Sequence, residues 1–183
     1  MNGGNWKSKL APGPSDGARS AAGAELVEFA LVLPLLLLLI AGVWDFGSAF
    51  LLKDKMTNAA REGARIAVST PLKTADCSSS TPCSIVAAAD AVKQYMSGAG
   101  NDAGCIVPDQ PSSFTVPDRA NYVCESGIAL DIDRGSAIET GAGAIPATRV
   151  TLTFPVRWVL IGRLLPGAIP RTISTTVTMQ NLT

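Results

Sequence analysis

The chain has 183 residues, a hydrophobic content of 47% and a formal net charge of zero, which leaves room for one modest folded domain beside a long apolar segment. No basic stripe interleaved with aromatic residues occurs, so the sequence lacks the usual pattern of a nucleic-acid-binding protein. It contains no histidine, and a serine or cysteine nucleophile would therefore lack its usual base. We expect no enzyme activity, no cofactor and no metal site.

Residues 1–22 are polar and interrupted by glycine, proline and serine, and we expect them to remain unfolded as a leader. This segment carries a charge of +2, from Lys7, Lys9 and Arg19 against Asp16. The rest of the chain holds 12 basic and 14 acidic residues, or −2, and its first basic residue is Lys53. The positive-inside rule therefore predicts a cytoplasmic N-terminus and an extracytoplasmic C-terminal part.

A single carboxylate interrupts the longest apolar segment of the chain. Every residue of 26–44 other than Glu28 is apolar, glycine or proline. These residues would make roughly 28 Å of helix, enough to cross a bilayer core. A charge inside such a segment costs about 2.5–3.5 kcal/mol on insertion scales. Glu28 therefore either has a compensating partner or lies shallow enough to reach headgroup water.

The helical pattern does not stop at the predicted membrane face. Residues 45–68 contain no proline, and small side chains recur in them at helical spacing. This small-residue stripe consists of Met56, Ala59, Ala60, Gly63, Ala64 and Ala67. We therefore expect one long helix from about residue 22 to 69, half in lipid and half projecting, with a kink at Pro34.

Two separated motifs resemble a known family. Residues 23–29 (GAELVEF), heading an apolar helix, resemble the processing region of type IV prepilin-like proteins. Residues 29–34 (FALVLP), followed by residues 58–65 (NAAREGAR), narrow the resemblance to the TadE-like minor pseudopilins of the tight-adherence (Flp) type IVb pilus system. The resemblance covers residues 18–70.

The resemblance implies that a prepilin peptidase cuts between Gly23 and Ala24. Residues 1–23 would then be a cytoplasmic prepilin-type leader, and Glu28 would be the fifth residue of the mature chain, followed by the aromatic Phe29. The new amino group of Ala24 is expected to pair with Glu28 of a neighbouring subunit. Glu25 also lies close to the cut, and it could make this pairing instead.

The resemblance further implies a non-enzymatic minor pseudopilin that acts in assembly of an adhesive Flp pilus. Its expected location is the bacterial cytoplasmic membrane, as a single-pass protein, or the pilus itself. The implied partners are prepilin peptidase, other minor pseudopilins or the Flp pilin, the inner-membrane assembly platform and the lipid bilayer. The alternative is an unprocessed single-span protein whose outer domain binds a ligand or an envelope component.

Four cysteines lie in the region that would meet an oxidising compartment: Cys77, Cys83, Cys105 and Cys124. An even count there favours disulfides, and three pairings are possible. We favour the two local pairings, first with second and third with fourth, because each closes a short polar loop. Free thiols are the alternative.

The pattern after residue 70 predicts an α+β fold, in which a short helix covers one face of an antiparallel sheet. We expect Ser84 to cap that helix, and its apolar face to hold Ile85, Ala89, Val92 and Met96. Alternating apolar residues predict strands around residues 128–133, 150–160 and 172–179. Pro155 favours an edge strand or a bulge. The resulting organisation is a leader over 1–23, a long helix over 24–69 and an extracytoplasmic domain over 70–183.

Charged motifs outside the apolar segment carry weaker signals. Asp76-x-Ser78-x-Ser80 resembles a metal-dependent adhesion motif but lacks the buried strand that should precede it. Asp131-x-Asp133 resembles a calcium loop without its bidentate glutamate, so neither motif predicts a metal site. Arg61, Glu62 and Arg65 form either an exposed charged helix face or a contact with a specific partner.

Overall fold

The structure is a computed structural model, which describes residues 16–70, 81–115, 118–141, 143–164, 167 and 169–181. The chain divides into two compact units, Met1–Val43 and Trp44–Thr183. The elements are α1 (Asp16–Ser69), α2 (Cys83–Gly98), β1 (Ser113–Thr115), β2 (Arg119–Val123), β3 (Ala129–Thr140), β4 (Gly143–Pro155), α3 (Ile161–Leu164) and β5 (Thr172–Gln180). This is the predicted α+β class with a long N-terminal apolar helix.

The described part of the first unit is the N-terminal portion of α1. The helix begins at Asp16, so the expectation that residues 1–22 remain unfolded is wrong for residues 16–22. Alanines are frequent in this segment, and a helix already nucleated downstream extends into good helix formers at little cost. The large apolar side chains from Leu26 to Val43 are 38–73% exposed.

This exposed apolar surface is long enough to cross a membrane. Of the helices that the structure describes, one passes the test of length and composition for a membrane span, namely the portion Glu25–Ser69 near the N-terminus. The same test is met by membrane anchors and by signal sequences. Pro34 lies inside the helix, as predicted.

In the second unit, the small-residue stripe of α1 lies in the buried core that α1 shares with α2 and the sheet, and it approaches α2 at Gly63. All six residues of the stripe are buried. The approach is closest at Gly63, where an added Cβ would lie 2.5 Å from Val92 Cγ2 and 3.4 Å from the Ala88 carbonyl oxygen. Small side chains therefore set the distance between the two helices.

The sheet has five antiparallel strands in the order β1-β2-β3-β4-β5, so each strand pairs with its neighbour in sequence. A register shift interrupts β3 between Asp133 and Ser136. The inward residues alternate as predicted as far as Phe154, and they join the helices in one buried core. The strand expected over residues 150–160 instead ends at Pro155, and Leu160, expected on its inward face, is 47% exposed, because the backbone N–H groups of Val159 and Leu160 bond to Asp45 and not to a neighbouring strand. The sheet contributes Ala120, Tyr122, Leu130, Ile132, Val150, Leu152 and Phe154 to that core.

Two further local predictions in this unit are wrong. Pro155 belongs to the central strand β4, which pairs with both β3 and β5. The pairing of β4 with β3 ends at Thr153, and the Val156 N–H already bonds to the β5 side at the Arg171 carbonyl. Since neighbouring N–H groups of a strand alternate in direction, the N–H that proline lacks would have pointed where β3 has ended.

Ser84 does not cap α2, because the helix begins one residue earlier with Pro82 at the N-cap position. The Pro82 carbonyl accepts hydrogen bonds from the N–H groups of Ile85 and Val86. Ser84 consequently lies in the first turn, where its hydroxyl is buried without a partner in the described chain. The predicted apolar face of this helix is buried, as expected.

Buried polar groups fix the edges of the core. The Tyr122 hydroxyl donates to the Pro108 carbonyl at 2.8 Å, and burial, with a smaller contribution from Asp109, raises the pKa of Tyr122 to about 12. The Arg134 guanidinium donates to the Thr70 carbonyl just beyond α1. Burial lowers the pKa of Arg134, although Asp118 opposes the shift.

Candidate functional site

The predicted cleavage bond lies inside a helix. Gly23 and Ala24 both belong to α1, which continues through them without interruption. Gly23 is exposed, and a Cβ added there would meet no atom within 4 Å. A larger side chain would therefore fit at position 23 without a clash in the described chain. A protease that reads an extended chain would first have to unwind the helix here.

The carboxylates next to this bond are exposed. Both Glu25 and Glu28 lie on the surface of α1, and within the described residues neither has an ion pair. Phe29 is 61% exposed. Ala24 and Glu28 are four residues apart and so share a helix face. Gly23, Glu28 and Phe29 are thus exposed residues of one stretch of helix.

The surroundings of Glu28 are apolar. Leu26, Val27, Leu31 and Val32 are each more than half exposed, so apolar side chains flank Glu28 on both sides along the chain. A carboxylate in such a setting interacts strongly with any cation brought to it, because little water would screen the pair.

The second motif, residues 58–65, divides into a buried and an exposed half. Its small residues Ala59, Ala60, Gly63 and Ala64 are buried in the stripe against α2. On the outside, the Arg65 Nε donates to a Glu62 carboxylate oxygen at 2.9 Å. Arg61 is exposed and makes no ion pair in the described chain. Packing in the core explains why this motif contains small residues. An exposed ion pair accounts for two of its charged residues, Glu62 and Arg65.

Asp45 is a site residue that the sequence analysis missed. It follows the predicted span directly, yet it is only 1% exposed. Its carboxylate accepts three backbone hydrogen bonds, from the N–H groups of Val159 at 3.2 Å, Leu160 at 3.0 Å and Ile161 at 2.9 Å. Asp45 thereby fixes residues 159–161, at the start of α3, to the helix α1.

An aromatic pair accompanies this contact. The rings of Phe46 and Trp158 meet edge to face with centroids 5.7 Å apart, a favourable geometry for aromatic side chains. The Trp158 indole N–H donates to the Pro170 carbonyl at 2.8 Å. The neighbouring Val159 and Leu160 remain 59% and 47% exposed.

A cleft also opens in the second unit, beside α1. Its walls include apolar side chains of Leu52, Ile128 and Phe154. The charged residues on its lining, Asp102 and Arg157, are exposed. Among the described residues, no group of three potential metal ligands occurs. The cleft thus offers no buried charged group for catalysis.

The Cys105–Cys124 disulfide is present, with its Cα atoms 6.0 Å apart, and this matches one of the two predicted local pairings. It ties the loop after α2 to the end of β2. Cys77 of the other predicted pairing lies outside the described residues, as do Asp76, Ser78 and Ser80, so the pairing with Cys83 stays a prediction.

Comparison with known proteins gives one match. Residues 23–65 match the family model described as TadE-like protein. The match begins at Gly23 and ends at Arg65, and it therefore includes both motifs of the sequence analysis. No curated protein and no solved structure matches the chain.

Proposed function

We propose that this chain, which is TadE-like over residues 23–65, is a non-enzymatic minor pseudopilin for assembly of an adhesive Flp (Tad) pilus. The observation that carries the proposal is the coincidence of that family match with an exposed apolar helix holding the lone carboxylate Glu28. A pilus-assembly role is what the family implies. The partners of this role are a prepilin peptidase, other pseudopilins or the Flp pilin, and the membrane platform.

In this role the chain crosses the cytoplasmic membrane once. Residues 26–44 form the span, and their exposed apolar surface is covered by lipid. The basic residues of the leader keep the N-terminus in the cytoplasm. Residues 70–183 then form the extracytoplasmic domain, where the oxidising environment maintains the Cys105–Cys124 disulfide.

Processing removes residues 1–23 by hydrolysis of the bond between Gly23 and Ala24. Water adds across this bond, leaving a carboxylate on the leader and an α-amino group on Ala24. The bond lies in α1, so the helix must unwind locally before it is cut. Glycine lowers that cost, since it is about 1 kcal/mol less favourable than alanine inside a helix.

The mass of the mature membrane-bound chain tests processing. We expect a chain that begins at Ala24 in cells with an active prepilin peptidase. Gly23→Leu should block the cut, because a large side chain precedes the bond, whereas Gly23→Ala should still be cut because its side chain stays small. Both variants should insert into the membrane. A wild-type chain that still begins at Met1 would contradict the proposal and favour an unprocessed single-span protein.

Glu28 acts in assembly by pairing with the new α-amino group of Ala24 on a neighbouring subunit. Glu28 has no cation partner in the described part of its own chain, and its apolar surroundings would strengthen an intermolecular pair. A buried pair offsets its desolvation cost only when both members are present. The pairing therefore selects the stagger at which two helices pack.

Glu28→Gln tests this pairing because it keeps the shape of the side chain and removes its charge. The variant should be cleaved and inserted normally, yet fail to copurify with its pilin partners. Glu25→Gln is the matched control, an exposed glutamate one helical turn away, and it should assemble normally. Normal assembly of Glu28→Gln would contradict the mechanism and indicate that this carboxylate reaches headgroup water. Failure of Glu25→Gln instead would identify Glu25 as the pairing residue.

A further inference from the structure

The second unit exposes a cluster of large apolar side chains at the point where α1 leaves the predicted span. The cluster consists of Trp44, Phe46, Phe50, Leu51, Val159 and Leu160, which are 47–74% exposed. Phe46 is joined to the segment of Val159 and Leu160 through the Trp158 ring, which it meets edge to face, and exposed apolar surface of this kind often marks an interaction site. Two of its members come from a distant part of the chain, in the loop of residues 157–160.

Asp45 determines where that loop lies. Its carboxylate accepts the N–H groups of Val159 and Leu160 across a sequence separation of more than 100 residues. The loop is therefore held within hydrogen-bonding distance of the residue that follows Trp44, at the end of the span. A bilayer that takes up residues 26–44 has its headgroup region at this level.

The loop is built for a poorly hydrated environment. Backbone N–H groups are costly to take out of water unless they are bonded. Those of Val159 and Leu160 are bonded to Asp45, and the indole N–H of Trp158 is bonded to Pro170. The loop thus exposes the apolar side chains of Val159 and Leu160 while these three N–H donors are satisfied.

Close packing also keeps the loop in shape. A Cβ added at Gly162 would lie 2.8 Å from Trp158 Cβ, so α3 can approach the tryptophan only because residue 162 is glycine. The Trp158 ring in turn supports Phe46. Arg157, at the start of the loop, is exposed and supplies a cation of the kind that anionic lipid headgroups attract.

We propose that Phe46 and the loop of residues 157–160 form an interfacial anchor, which enters the boundary between the headgroups and the acyl chains of the bilayer. The inference rests on the proposed membrane span, with which the apolar cluster is continuous. Lipid is the occupant rather than a second copy of the chain, because the loop lies at the headgroup level and combines apolar side chains with the cation of Arg157. Aromatic side chains with basic neighbours are typical of this region of a membrane protein.

The test uses the intrinsic tryptophans of the full-length protein in vesicles of phosphatidylcholine and phosphatidylglycerol. The chain has three tryptophans, Trp6, Trp44 and Trp158, so replacing two of them with phenylalanine leaves a single reporter. Nitroxide-labelled lipids carry the quencher near the headgroup end or the methyl end of the acyl chain. We expect Trp158 to be quenched strongly by the shallow nitroxide and weakly by the deep one.

Trp44 separates failure of the anchor from failure of the span. If Trp44 is quenched by lipid nitroxides and Trp158 is not, the span stands and the anchor is overturned. If neither is quenched, both the span and the anchor are overturned. If Trp158 is shielded from aqueous acrylamide yet not quenched by lipid nitroxides, protein covers this surface, and the anchor is again overturned.

A matched pair of variants tests the exposed side chains themselves. Val159→Ser with Leu160→Ser removes apolar surface without touching the hydrogen bonds to Asp45, and it should reduce shallow quenching of Trp158 at least twofold. The control is Val123→Ser, which changes an equally exposed valine on β2 and should leave quenching unchanged. Equal quenching in wild type and in the loop variant would overturn the proposed role of these side chains.

Discussion

Replacing Gly63 by alanine should destabilise the second unit, although alanine is the better helix former. Gly63 lies in the interior of α1, where the replacement alone would gain about 1 kcal/mol. The new methyl carbon, however, would lie 2.5 Å from Val92 Cγ2, well inside the roughly 3.5–4.0 Å at which two carbon atoms are in optimal contact. The sign of the effect depends on which contribution is larger.

The surroundings leave little room for relaxation. Valine in a helix has essentially one χ1 rotamer, so Val92 cannot turn its methyl group away. On another side, the Ala88 carbonyl oxygen lies 3.4 Å from the added Cβ. Overpacking of this kind costs typically about 1–3 kcal/mol. After subtraction of the helix-propensity gain, we expect a net loss of about 0–2 kcal/mol in the free energy of unfolding.

Gly47→Ala is the matched control. Gly47 lies in the same helix, and a Cβ added there meets no atom within 4 Å, so this variant should be stabilised by up to about 1 kcal/mol. Because the propensity gain is common to both variants, the difference between them isolates the packing cost, about 1–3 kcal/mol. Urea unfolding of the full chain in detergent micelles, followed by near-ultraviolet circular dichroism, measures it.

A double-mutant cycle identifies the clashing partner. Val92→Ala removes the methyl group that Gly63→Ala would strike, and the second substitution should then cost less than it does in the wild-type background. If Gly63→Ala is as stable as Gly47→Ala, the two helices are not packed as closely as described, and the reasoning is refuted.

Two further predictions concern the outer core. Replacing Cys105 and Cys124 together with alanine should cost about 3 kcal/mol of unfolding free energy in the chain-entropy model, because the bond closes a loop with a separation of 19 residues. An unchanged urea midpoint would contradict this. The raised pKa of Tyr122, about 12 against an ordinary value of 10.0, means that the folded state retains the phenol proton. Its contribution to stability is therefore present below pH 10 and is lost as pH rises through about 12. In a Tyr95→Phe background, where Tyr122 is the remaining tyrosine, the ultraviolet absorbance of the ionised phenol should appear near pH 12 and not near pH 10. Ionisation near pH 10 in the folded protein would show that Tyr122 is accessible to solvent.

The sequence predicted those parts of the fold that depend on periodicity. Small residues at helical spacing identified the buried face of α1, and alternation identified the inward residues of β3, of β4 as far as Phe154, and of β5, because burial on one face imposes these periods directly. Element ends were predicted less well. The first residue of α2 depends on whether Pro82 or Ser84 supplies the N-cap. The position of Pro155 in the sheet depends on where β3 ends. Periodicity specifies neither, because each is determined by contacts with neighbouring residues.

The candidate site divides in the same way. Glu28 was singled out because a charge contradicts its apolar surroundings, which is visible without a fold, whereas Gly23 was singled out by the resemblance to prepilin-like processing regions. Their chemical roles remain proposals. The motif of residues 58–65 could be recognised from the sequence, but its buried and exposed residues could not be told apart. Only the packing of α1 in the core distinguishes its buried alanines from the exposed Arg61.

Asp45, in contrast, could not be identified from the sequence. From the sequence it is an ordinary acidic residue at the end of an apolar run, where a charge facing headgroup water needs no explanation. Its burial follows entirely from a loop more than 100 residues away that brings three backbone N–H groups to its carboxylate. Those groups need an acceptor because they precede or begin a four-residue helix, which leaves its first N–H groups without partners of its own. The N–H groups that need an acceptor are in the loop, and the acceptor is in α1. Neither segment alone has a sequence pattern that predicts these hydrogen bonds.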